Sequence, residues 1–422
     1  MPATAHELYA FLKTIPILDT FTRVRVDHPF ARTPFDILGH PMITSLCHAA
    51  GMDPDAIKYT VPDRERTRAV LSFLPALENT RIFQLVLEIA QRFWKIDPGQ
   101  LLHGNVDDLY DQVEILSEQP NRLGDLLKES NIHRIIAAID FDHEIENDLS
   151  YARYSMQLDD LIDWDAKEIR DRFVTITDIQ VTNASSFKLA LFKLFDRLTR
   201  HHGASVHLRI PPDLVLERVS DNRIDTLIAK ANRGDRFNLL ERNQLATFML
   251  FKVCASCQEN QLPLQLLMGT LRDVYDHGVP GGGNLWDQRF SMMNLHEMFN
   301  AYPGVTFLVS PINSNQNGEL VSFASVYHNV IASGHWWFSN IPVLVEKDLR
   351  ARIQAIPRNK IHPFFSSASH LEWILPSFSQ YHQVLVDVLS DEFIATRGWS
   401  IDKTIEWSRK VLYEQPKSIF NL

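Results

Sequence analysis

The 422-residue sequence is poor in cysteine, with only Cys47, Cys254 and Cys257. Three thiols cannot build a disulfide framework and point to a reducing compartment. Cys254 and Cys257 form a CxxC inside LATFMLFKVCASCQENQLP, near the C-terminal end of a helical run. A redox CxxC normally opens a helix, where the dipole lowers the thiol pKa, and no second pair completes a zinc site. Both cysteines therefore read as structural. No window approaches 18 uninterrupted apolar residues, so no transmembrane helix is expected. The start, MPATAHELYAFLKTIP, lacks a basic segment ahead of an apolar one and does not read as a secretory signal. Positive charge is also in deficit, with 42 Lys and Arg against 52 Asp and Glu, for a net charge of −10. That balance argues against nucleic acid or an anionic membrane as a partner. The expectation is a cytoplasmic protein.

What is present is a large core: 45% of residues are hydrophobic and 22% charged. The length is great for one ordinary domain, but α/β barrels exceed the usual size as single units. Ala5–Lys13 predicts a short helix and Ile15–Thr20 a buried strand. Periodic apolar positions from Pro34 to Glu129 predict a helical insertion of roughly a hundred residues. Beyond it, short apolar runs alternate with helical sequence. The predicted strands are Ile132–Asp140, Arg172–Asp178, Ser205–Ile210, Leu262–Gly269, Val305–Pro311, a strand opening at Val330, and Ile361–Ser367. With the first strand this gives eight strand–helix units, the pattern of a parallel (β/α)8 TIM barrel. The expected division is 1–33 for the first helix and strand, 34–130 for the insertion, 131–390 for the rest of the barrel, and 391–422 for extra C-terminal helices.

Functional residues of such a barrel stand at the C-terminal ends of its strands. At the seventh of these, VIASGHWWFSN presents His335, Trp336, Trp337 and Asn340. Side chains alternate along a strand, so both tryptophans cannot point inward while it stays regular. His335 could serve as an acid or base, or simply be bonded into the rim. The tryptophans could stack on a sugar ring or fill the space between barrel and helices. Arg209 and Arg272 could hold a carboxylate or phosphate, with Asp273 as a local counter-charge to Arg272. Asp19 and Arg23 read as a buried ion pair. Asp140, Asp142, His143 and Glu144 look like metal ligands but read more simply as solvated loop acids. The glycine-rich loop Tyr275–Asn284 (VPGGGN within it) reads as a lid or as plain surface.

These residues resemble the uronate isomerases of the amidohydrolase superfamily. The family's D-x-H-x-H first strand corresponds to Asp19–Thr20–Phe21–Thr22–Arg23, and its Q-x-H-x-G strand with a following arginine to Gln265–Gly269 with Arg272. The G-x-x-W-W-F-like strand corresponds to Gly334–Phe338, the most specific part, and the final Thr–Asp pair to Ser366–Ser367. The likeness spans nearly the whole chain. It implies an amidohydrolase-type barrel, a homo-oligomer, and aldo–keto isomerisation of D-glucuronate or D-galacturonate through an enediol. It also implies a divalent metal held by the two first-strand histidines and the final aspartate. The sequence departs from the family at those points. The histidines fall on Phe21 and Arg23, the fifth-strand histidine on Leu267, and the aspartate on Ser367. The arginine that follows falls on Ser369, and a His–Tyr pair in the insertion falls on Pro41–Met42. Phenylalanine and leucine have no lone pair to give, and arginine repels a cation.

The expectation is thus a uronate isomerase-like barrel with no metal ligands and no cofactor. Its partner is a small sugar acid or other carboxylate, bound through Asp19, Arg23, Arg209, Arg272, Trp336, Trp337, Asn340 and Ser367, with His335 as the catalytic candidate. The alternatives are a non-catalytic binding or scaffold barrel, or a metal-independent isomerase or hydrolase using His335 and Arg272.

Overall fold

In the computed structural model, which describes residues 3–145 and 149–422, short apolar runs lie side by side as one curled parallel sheet. Met1 and Pro2, part of the segment weighed as a leader, lie outside the described residues. The strands are β1 (Ile17–Thr22), β2 (Ile132–Asp140), β3 (Ala152–Gln157), β4 (Gly203–Ile210), β5 (Leu264–Met268), β6 (Phe307–Pro311), β7 (Val330–Ser333) and β8 (Ile361–His362). Each pairs in parallel with the next in chain order. β8 is short because Pro363 has no amide to donate to the ladder. The chain just beyond it nevertheless meets β1. Ser367 N donates to Phe21 O at 3.1 Å, and Arg23 N donates to Ala368 O at 2.7 Å. Eight strands wrapped by helices make an α/β barrel of the TIM type.

Between β1 and β2 the chain forms a series of helices from Pro34–Leu38 to Arg122–Glu129, including Pro41–Ala49 and Arg81–Phe93. Helix Ile374–Leu389 follows β8, and Ile401–Arg409 opens the C-terminal helical segment. The CxxC lies in helix Leu239–Glu259 with both thiols buried, and burial holds both pKa values above the ordinary thiol range.

The third strand corrects the sequence reading. Arg172–Asp178 is not a strand; it belongs to helix Lys167–Thr177, with Asp178 capping it in the left-handed conformation at φ 54°. The β-branched run VTIT suggested extension, but Arg170, Phe173 and Thr177 are buried at helical spacing and share one face. The true third strand, ARYSMQ, buries Ala152, Tyr154, Ser155 and Met156. Thr177–Asp178 therefore does not stand at a strand end.

The barrel interior carries a chain of polar side chains. His362 bonds Thr20 Oγ1 and Ser333 Oγ at 3.0 and 3.1 Å. Gln265 donates to Thr20 O and to Ser205 Oγ, which donates to Ser155 Oγ. Ser155 meets His207 Nδ1, and His207 Nε2 meets Gln157 Oε1, each at 3.1 Å. Gln157 Nε2 then donates to Asp159 Oδ2 at 3.0 Å. Buried polar groups are tolerated when satisfied in this way.

Candidate functional site at the barrel mouth

Above that polar interior lies an apolar plug. Phe21, Leu267, Ile312, Trp336 and Phe365, from the ends of five strands, form one buried cluster. Phe21 meets Phe365 edge-on at 5.4 Å between ring centres and His207 at 5.0 Å. Of the positions where the resemblance implies the family's histidines and aspartate, Arg23 and Ser367 border the cavity above, while Phe21 and Leu267 lie in this plug. The side chains there are hydrocarbon rings, branched alkyls and an indole, none of which offers a lone pair to a first-row cation. The residues present do not fit a metal at the barrel centre.

The plug also explains the tryptophan segment. β7 ends at Ser333; Gly334 (φ 43°) and Trp337 (φ 49°) then turn the backbone. A Cβ on Gly334 would collide with the Phe365 ring, so glycine is required at this close approach. Because the strand has ended, the two indoles part company. Trp336 is buried in the plug at the floor of the cavity above, while Trp337 is half-buried at its side, and both border it. Their rings stand at 90° to each other, 6.2 Å apart.

That cavity measures about 350 Å³ and lies over the plug. Four arginines border it: Arg23, Arg81, Arg209 and Arg272. Among the described residues no aspartate or glutamate does. Arg209 and Arg272 are aimed by Asp159 immediately behind them. Asp159 Oδ1 accepts from Arg209 N at 3.0 Å, Oδ2 takes the Arg209 Nε, and Arg272 Nη2 donates to Oδ2 at 3.3 Å. Asp159 is thus the counter-charge expected of Asp273, whose amide instead bonds Asn284. The sequence reading missed Asp159 because it follows β3, the strand that was misplaced.

Arg23 projects into the cavity with its head accessible through the mouth. Burial, then Arg209 and Arg272, lower its pKa to about 10, against the opposing pull of Asp159 and Asp140. It is cationic at neutral pH and poised for an anion. The expected Asp19–Arg23 ion pair does not form. Asp19 is fully buried, does not border the cavity, and spends its carboxylate on Ser366, taking the amide at 3.0 Å and the hydroxyl. Asp142 is likewise committed, to Arg172 at 2.7 and 2.6 Å.

Asn340 and Ser367 border the cavity, Ser367 with a left-handed φ of 55°. His335 borders it as well, but its ring is shielded from solvent. The ring lies 3.7 Å from Asp348 Oδ2, and neither nitrogen is hydrogen-bonded. Burial and then Arg352 hold its pKa well below the usual imidazole range, so it is neutral. Two further lining residues had not been singled out. His40 Nδ1 accepts from Met42 N at 3.2 Å, which places the proton of a neutral ring on Nε2 as a donor. Burial, then Arg23, lower its pKa to about 4. His40 stands one residue before the Pro41–Met42 pair inspected in the sequence. Arg81 opens helix Arg81–Phe93, and nothing in its local pattern marked it. The loop Tyr275–Asn284 reaches the same rim, where Gly281 and Asn284 border the cavity.

One group of described residues has the donor types for a cation, His28, Asp36 and His370. Asp36 Oδ2 lies 3.4 Å from His28 Nε2 but already accepts from the amides of Arg32 and Thr33 at 2.8 and 2.9 Å. Asp36 caps a helix start, and none of the three borders the cavity.

The pH dependence of Asp19 is testable. Burial raises its carboxyl pKa to about 7, although its bonds to Ser366 pull downward. The folded state then keeps a proton that the unfolded chain releases near pH 4, so this contribution to stability falls as pH rises toward 7 and is level above it. The stability difference between wild type and Asp19→Asn, from urea unfolding, is expected to change by up to about 1.4 kcal/mol per pH unit in that window. A difference independent of pH would show that Asp19 stays ionised.

No family model matches the sequence. The uronate isomerase of Thermotoga sp. (strain RQ2) is 24% identical over 243 residues, 56% of this chain and 53% of that protein. That of Thermotoga maritima is 23% identical over the same extent. The chain thus spans about half the length of the curated relatives it matches. Among solved structures, the uronate isomerase of Thermotoga maritima superposes with a TM-score of 0.88 at 16% identity, covering 99% of this chain and 97% of that one. The glucuronate isomerase of Caulobacter crescentus gives 0.89 at 16% identity, covering 100% and 95%.

Proposed function

We propose, from the premise that the chain is uronate isomerase-like in sequence and in fold, that its barrel mouth binds a sugar acid or similar small carboxylate without a divalent metal. The observation that carries this reading is the cavity lined by four arginines and, among the described residues, by no acid. Guanidinium groups pair with carboxylates bidentately, and the low dielectric of a recessed site strengthens the pairing. His40 Nε2–H, Asn340 and Ser367 supply hydrogen-bonding partners for hydroxyls, and the Trp337 ring offers an apolar face to a sugar. The uronate isomerase reaction moves a proton between neighbouring carbons and needs a base beside the substrate. In this reading His335, buried and shielded, is a packing residue, and the arginines bind charge without a partner base.

Titration calorimetry of the full chain tests this. D-glucuronate and D-galacturonate are expected to bind, D-glucose and D-galactose not to, and neither uronate to be turned over with Mn²⁺ or Zn²⁺ present. Equal binding of the neutral sugars, or robust metal-dependent isomerisation, would overturn the reading.

A further inference from the structure

We propose that the ligand of this mouth is a dianion, a polyhydroxylated chain with an anionic group at each end, one held by Arg23 with Arg209 and Arg272 and the other by Arg81. This rests on the reading that the mouth binds a sugar acid. The four arginines fall into two sets. Arg23, Arg209 and Arg272 come from the ends of β1, β4 and β5 and share the field of Asp159, and the charges of the other two lower the pKa of Arg23. Arg81 comes from the helical insertion and borders the same cavity beside Ile82 and Leu85. Burial alone lowers its pKa, to about 10, with no contribution from another arginine or from any carboxylate. Arg81 has no ion-pair partner among the described residues, and it also borders a pocket with Pro342 and Gln380, whereas Arg209 and Arg272 border another with Asp159, so the two sets face different sides of the mouth.

A recessed guanidinium without a counter-ion is costly, because the charge gives up water and gains no opposite charge in return. The three-arginine pole is already eased by Asp159. A ligand with a single carboxylate can satisfy that pole or Arg81, but not both. A second terminal anion on the same chain compensates Arg81, with the lining donors between the poles left for hydroxyls. Carboxylate and phosphate share the geometry that arginine reads, so either can stand at a terminus.

The test compares D-galacturonate, with one carboxylate, against galactarate, with two, and 6-phosphogluconate, with a phosphate at one end. For the wild-type chain, calorimetry is expected to give galactarate or 6-phosphogluconate an affinity about tenfold above galacturonate, the worth of one added charge-assisted contact. The tighter of the two identifies the group at the second pole. Arg81→Gln is expected to collapse that ratio toward one, and Arg81→Lys to keep most of it. Equal wild-type affinities for mono- and dianion, or a ratio unmoved by Arg81→Gln, overturn the proposal while leaving sugar-acid binding intact. Failure of all three acids to bind the wild type overturns the sugar-acid reading and this one with it.

Discussion

Replacing Arg23 by glutamine is expected to weaken D-glucuronate and D-galacturonate binding by about 10- to 100-fold. Arg23 borders the cavity, and among the described residues no carboxylate lies within ion-pair distance of its head. A bidentate contact to a charged ligand is worth about 1.5–3 kcal/mol, and each 1.4 kcal/mol is tenfold in affinity. The effect on stability should run the other way. Arg23 is held near Arg209 and Arg272, so glutamine removes a repulsion along with the charge. Calorimetry should therefore show the affinity loss while the thermal midpoint does not fall. Unchanged affinity would mean that the ligand is held elsewhere.

The largest expected effect on stability lies behind the tryptophan segment. Arg352 is almost entirely buried, on helix Pro342–Ala355. Its Nε donates to Asn317 Oδ1 at 2.8 Å and its Nη1 to Gly334 O at 2.9 Å. Asp348, raised in pKa chiefly by burial, is its nearby acid. Arg352→Ala leaves Asp348 and the Gly334 carbonyl without this cation and opens a void, for an expected loss of about 3–5 kcal/mol. Gly334 is the point at which the backbone turns to send Trp336 into the plug. The same variant should therefore change the tryptophan fluorescence of the folded state. A loss under about 1 kcal/mol in urea unfolding would show that Arg352 carries little of the fold's stability.

The alternation of apolar runs with helical sequence made most of the barrel legible, because a parallel strand buried on both faces is a short apolar run whatever its neighbours. ARYSMQ escaped notice because Arg153, Ser155 and Gln157 break that run, and Ser155 and Gln157 are polar for a reason visible only in three dimensions, the interior chain through His207. Once that strand was misplaced, Asp159 could not be recognised as the residue that aims Arg209 and Arg272. Arg23, Arg209 and Arg272 could be named from their places at strand ends. Arg81 could not, since it enters from a helix in the insertion and its approach to the mouth depends on how that helix packs. His335 shows the opposite limit. Its position at a strand end is as the sequence placed it, but the direction of its ring follows from Gly334 and the packing of Asp348 and Tyr381.

The apolar plug bears on how such a mouth could change over evolutionary time. A single Phe21→His replacement would set an imidazole among Leu267, Ile312, Trp336 and Phe365, with the nearby His207 already committed to Ser155 and Gln157. An unsatisfied buried polar group costs about 1–3 kcal/mol, and losing the phenyl packing adds to that. Each single step from plug toward metal cage is thus downhill in stability, with no ion gained in return. The hydrocarbon floor therefore resists stepwise conversion to a polar one, because each isolated polar side chain would stand without partners.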